Sequence, residues 1–124
     1  MAKERIISAD SHVGIRDEAV LAHLPAAYHD GYKQARAEFV QRLMARAKRK
    51  DGGELPIGSQ EKPWEAANRP GEYDPTARLA DMDTDGVEAE VLYSDVEAGA
   101  SFNGMENGGR LAAFRAFNDA ALEF

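Results

Sequence analysis

An α/β fold with parallel strands is predicted by three features of this 124-residue sequence. Two short apolar, β-branched pulses, at residues 5–13 and 87–93, read as strands. Helix-forming stretches separate and follow them, and strands alternating with helices pair in parallel through right-handed crossovers. Two strands alone do not make an independently stable parallel sheet, so the domain is expected to be incomplete.

Taken in order, Ile6-Ile7 followed by Ser8-Ala9-Asp10-Ser11-His12-Val13 reads as a buried strand whose polar C-terminal end emerges at a loop opened by Gly14. Residues 17–25 make a short helical turn, stopped by Pro25, whose ring disfavours the helical conformation at Leu24. Residues 27–50 carry Tyr32, Ala35, Phe39, Val40, Leu43, Met44 and Ala47 at spacings of three and four, which predicts one amphipathic helix. Lys48, Arg49 and Lys50 complement the negative end of its dipole, and Asp51-Gly52-Gly53 supplies the stop.

Between residues 51 and 75, Pro56, Pro63, Pro70 and Pro75 are spaced too closely for a long regular element, and a long excursion is read there. Trp64 lies in it, either covering the core or lining a pocket mouth. Asp74 as N-cap and Pro75 at the first helical position start a short helix with Leu79 and Met82 on one face, ended by Gly86. Residues 87–93 alternate and then turn wholly apolar, the pattern of a strand entering a covered sheet. Residues 95–107, rich in Gly, Ala and Asn, read as a second excursion. After Gly108-Gly109 a last helix carries Leu111, Phe114, Phe117, Ala121 and Phe124 on one face, and its uncapped apolar end reads as a cut helix.

Fifteen Lys and Arg against 22 Asp and Glu leave a net charge of −7. No excess of cations exists to neutralise phosphates or hold an anionic membrane surface, so neither nucleic acid nor membrane is an expected partner. No apolar run approaches the roughly 20 residues that span a bilayer, and the charged start Met1-Ala2-Lys3-Glu4-Arg5 is no signal peptide. A cytoplasmic protein is expected. The absence of cysteine removes disulfides, thiolate zinc sites and cysteine nucleophiles.

Asp10-Ser11-His12 is the sharpest chemical pattern. Side chains two apart on a strand share a face, so a carboxylate and an imidazole converge at the strand's C-terminal end, where parallel α/β folds place their sites. Both are good ligands for a divalent metal such as zinc. A turn-capping Asp beside a solvated or packed His is the alternative reading. His23 and His29 lie away from any strand end and read as solvated or packed. Asp81-Met82-Asp83-Thr84-Asp85-Gly86 reproduces the first half of a calcium loop, but Leu92 stands where a bidentate Glu is required. The acidic run therefore reads as solvating a helix end, with calcium binding a minor alternative. Tyr93 and Ser94 follow the second strand and are candidate substrate contacts.

The block from Ile6 to Val13, the block Arg78-Leu79-Ala80-Asp81-Met82-Asp83-Thr84-Asp85-Gly86-Val87-Glu88-Ala89-Glu90-Val91-Leu92-Tyr93 and the closing Phe114-Arg115-Ala116-Phe117-Asn118-Asp119-Ala120-Ala121-Leu122-Glu123-Phe124 together resemble the N-terminal part of the amidohydrolase superfamily. The similarity is to the branch of decarboxylases and hydrolases like aminocarboxymuconate semialdehyde decarboxylase. The resemblance implies the N-terminal fragment of a distorted TIM (β/α)8 barrel. Residues 1–124 would be an incomplete domain, with an insertion at about 14–74 forming a long helical excursion after the first strand.

The resemblance further implies that Asp10 and His12 are the paired metal ligands at the end of the first strand, where many members carry His-x-His or Glu-x-His. Zinc is the expected cofactor. The intact enzyme would hydrolyse or non-oxidatively decarboxylate a small carboxylated substrate, with room for homo-oligomerisation. A TIM barrel takes about 250 residues, and the remaining ligands and acid/base residue of the family would come from later strands, so no catalytic residue is expected within these 124. The alternative is a non-catalytic truncated protein or interaction module. In either case the isolated chain is expected to be aggregation-prone or molten and without turnover, because two strands leave edges and apolar faces uncovered.

Overall fold

A computed structural model describes residues 5–48, 69–94 and 96–124. Strand β1 (Ile6–Val13) leads into helix α1 (Asp17–His23), a 3-10 turn (Ala26–Tyr28) and helix α2 (His29–Lys48). A second 3-10 turn (Pro70–Glu72) precedes α3 (Pro75–Asp85), β2 (Val87–Ser94), α4 (Val96–Phe102) and α5 (Asn107–Ala121). Asp51-Gly52-Gly53, Trp64, most of the proline-rich excursion and the Arg49-Lys50 pair lie outside the described residues.

β1 and β2 pair in parallel, as the alternation of strands and helices predicts. The local signals for the flanking helices also act as expected. Leu24 takes an extended conformation ahead of Pro25 and ends α1. Asp74 caps α3 by accepting from Thr76 N at 2.8 Å and Ala77 N at 3.3 Å, and Gly86, at φ 73°, turns the chain into β2.

The core is built by the helices. Val20, Leu24, Tyr32, Ala35, Phe102, Met105, Ala113, Ala116 and Phe117 form one buried cluster, in which the Phe102 ring meets those of Tyr32, Phe114 and Phe117. A polar group is threaded through it. Tyr32 Oη donates to Asp17 at 2.7 Å, and Arg36 Nε donates to the same carboxylate oxygen at 2.9 Å.

Four expectations are corrected here. The sheet is not covered by the described residues: Ile7 is 62% exposed, Ile6, Val91, Leu92 and Tyr93 are exposed as well, and only Val13 in β1 is buried. The reason is that α1, α2, α4 and α5 pack on one another, which leaves α3 as the helix against β2. Leu79 is exposed on α3, and the residue turned inward is Arg78, because Glu90 of β2 waits there to pair with it. Residues 96–102 form α4 rather than an irregular excursion, since burial of Phe102 outweighs the weak helix propensity of a segment containing Gly99. On α5 the buried stripe is Gly109, Ala113, Ala116, Phe117 and Ala120. Leu111 and Phe114 stay exposed, because the close approach of α1 selects the small side chains.

Candidate functional site

The two strands end together, with Ser11 opposite Leu92, His12 opposite Tyr93 and Val13 opposite Ser94. All four residues expected at the site therefore meet at the C-terminal edge of the sheet. Between Ser8 and Ser11 the register shifts: three steps along β1 match the two steps from Glu90 to Leu92. Asp10 lies within this bulge and His12 follows it by one residue. Asp10 is 89% exposed and His12 47% exposed, so the pair opens to solvent.

The imidazole is oriented. His12 Nδ1 lies 3.3 Å from the carbonyl oxygen of Ser94, which can only accept, so Nδ1 carries a proton, and in the neutral ring Nε2 is left with its lone pair. Nε2 in turn faces Asp10 Oδ1 at 3.7 Å. An imidazole lone pair turned toward a carboxylate places two electron-rich atoms face to face, and a cation between them, a proton or a metal ion, resolves the repulsion. Two donors each about 2.0–2.2 Å from one zinc ion lie roughly 3.3 Å apart at the tetrahedral angle and about 4.2 Å apart when collinear. The observed separation falls inside that span. The hydrogen bond from the other ring nitrogen to a backbone carbonyl matches how metal-bound histidines are held. The donor set thus fits a divalent ion as far as two ligands can. Among the described residues no group of three or more His, Asp and Glu side chains converges.

The Tyr93 ring stands beside His12, centroids 6.5 Å apart. Of the other histidines, His23 Nε2 lies 3.2 Å from Glu123, and His29 Nε2 donates to the Leu24 carbonyl at 2.8 Å. Both tie helices together, in line with the structural reading of these two residues. Asp81, Asp83 and Asp85 belong to the last turns of α3, where Asp81 and Asp85, four apart, share one face and Asp83 points away from it, and Asp81 faces Arg69 at 3.7 Å.

Two features around the strand ends escaped the sequence. The first is the pair Arg78 and Glu90, joined at 2.6 Å with both side chains only 14% exposed. Arg78 Nη1 also donates to the His12 carbonyl at 2.9 Å and the Gly71 carbonyl at 3.2 Å, and Glu90 accepts from Ser11 Oγ at 3.1 Å. Twelve residues separate the partners, and no periodicity marks a charged pair folded inward. The second is Arg16, on the loop after β1, whose guanidinium lies 3.6 Å from the centre of the Tyr73 ring. A polar cleft of about 180 Å³ runs between α3 and the Pro70–Glu72 turn, lined by Arg69, Arg78, Asp81 and Glu90 among others. Neither Asp10 nor His12 lines it.

No protein-family model, no curated protein and no solved structure matches the chain.

Proposed function

We propose that this chain is the N-terminal part of a metal-dependent amidohydrolase-like barrel acting on a small carboxylated substrate. The observation that carries the reading is the pairing of Asp10 Oδ1 with the lone-pair nitrogen of His12, 3.7 Å apart at the C-terminal end of a parallel strand pair. A divalent ion held there, zinc by the family resemblance, would supply Lewis acidity toward substrate oxygen or water. Asp10 contributes charge and His12 contributes Nε2, while the Ser94 carbonyl keeps the ring in the tautomer that offers it. Tyr93 flanks the ring as a substrate contact. The uncovered apolar sheet supports the incomplete-barrel reading, since further strands and helices would bury Ile7, Val91 and Leu92.

The same uncovered sheet favours a second reading, in which the chain is a non-catalytic interaction module. One experiment separates them. The gene is read past the codon for Phe124, and any longer product is assayed with small carboxylated substrates before and after chelation and zinc restoration. Metal-dependent release of carbon dioxide or of a hydrolysis product supports the enzyme. A stop codon at that point, with no turnover when later-strand fragments are added, removes it and leaves the module.

A further inference from the structure

The regular ladder holds the end of β1 weakly. The bulge between Ser8 and Ser11 interrupts pairing, and three rungs remain before Gly14. A second set of bonds spans this stretch. Ser8 Oγ and Ser11 Oγ lie 2.7 Å apart across the bulge, Ser11 Oγ donates to Glu90, and Glu90 receives Arg78 Nε. Nη1 of the same guanidinium donates to the carbonyl of His12 itself and to that of Gly71.

We infer that Arg78 is a positioning residue for His12, fixing the backbone of the strand end so that the imidazole stays on the Ser94 carbonyl and presents Nε2 to Asp10. The His12 to Ser94 contact, at 3.3 Å, is near the outer limit of hydrogen bonding, so a shift of a few tenths of an ångström at the His12 backbone breaks it. Arginine suits the task because its planar fork donates in several fixed directions at once. A lysine keeps the charge opposite Glu90 but loses that geometry. The inference rests on the reading of Asp10 and His12 as one site, although its main readout needs no metal.

The test uses the full-length gene product labelled with 15N-histidine, at a pH above about 8 where an ordinary imidazole is neutral. The His12 ring signals are identified by their loss in His12→Gln. The wild type is expected to show the Nδ1-protonated tautomer. Arg78→Lys is expected to move the ring nitrogens toward the averaged shifts of exchanging tautomers and to raise the Co²⁺ dissociation constant about tenfold. Glu90→Gln, which leaves the guanidinium free to hold the His12 carbonyl, should lower thermal stability with a much smaller change in the ring. A wild-type His12 without the Nδ1-protonated ring overturns the inference, even if every Arg78 variant fails to fold. So does a folded Arg78→Lys protein with unchanged tautomer and Co²⁺ affinity. A tautomer shift in Arg78→Lys combined with no Co²⁺ binding by the wild type upholds the positioning role and sinks the metal reading instead.

Discussion

Glu90 receives the Nε–H of Arg78 on one carboxylate oxygen at 2.6 Å and the hydroxyl of Ser11 on the other at 3.1 Å. One carboxylate thereby ties α3 to both strands. Desolvating a charged pair is offset only where the remaining donors and acceptors are matched. That condition holds, since no buried side-chain nitrogen or oxygen lacks a partner among the described residues.

Removing one partner should therefore cost more than removing both. Glu90→Ala is expected to destabilise the fold by about 3 kcal/mol, while Arg78→Met with Glu90→Met together costs less than either single change. Urea titration followed by circular dichroism measures this. Additive losses would show that the two side chains act independently.

Tyr32 carries the pH dependence of the helical core. Burial, then the hydrogen bond to Asp17 and the charge of that carboxylate, hold its hydroxyl well above the usual tyrosine range, with Arg36 opposing. The folded state keeps the proton more tightly than the unfolded state. The contribution is complete below about pH 10, the unfolded value, and is lost as pH rises from there toward the folded one. Tyr32→Phe should cost about 1 kcal/mol at neutral pH through the lost hydrogen bond. Its melting temperature should then fall less steeply than that of the wild type above about pH 10. Parallel melting curves across that range would count against the assignment.

Ile7 discriminates between an incomplete barrel and a free-standing module. At 62% exposure its truncation to Ala should change the stability of the 124-residue chain by less than about 0.5 kcal/mol. In a longer barrel the same change empties a buried site and should cost about 3 kcal/mol. Thermal denaturation of both proteins gives the comparison, and a longer product indifferent to Ile7→Ala would favour the module. The uncovered strands should also make the 124-residue chain associate with rising concentration, which light scattering reads directly.

Much of the frame was legible in the sequence because its signals are local. Pro25 fixes the end of α1 through Leu24, Asp74 and Gly86 bound α3 through their own backbone geometry, and the β-branched pulses mark the strands. The closeness of Asp10 and His12 was legible for the same reason, as two side chains of one strand. The rest depends on partners distant in sequence. Helix α4 exists because Phe102 reaches Tyr32 and Phe117. The inward face of α3 is charged because of Glu90, and α5 buries alanines rather than Leu111 because of how closely α1 approaches. The orientation of His12 was equally hidden, since it depends on a carbonyl 82 residues away.

The proposed function requires that Asp10 and His12 share one divalent ion. Elemental analysis of the full-length protein, purified without chelator and compared with a variant carrying both Asp10→Ala and His12→Ala, tests it most directly. The expected result is close to one equivalent of zinc or a similar divalent metal in the wild type, and loss of nearly all of it in the variant. Equal metal content in the two folded proteins would contradict the assignment.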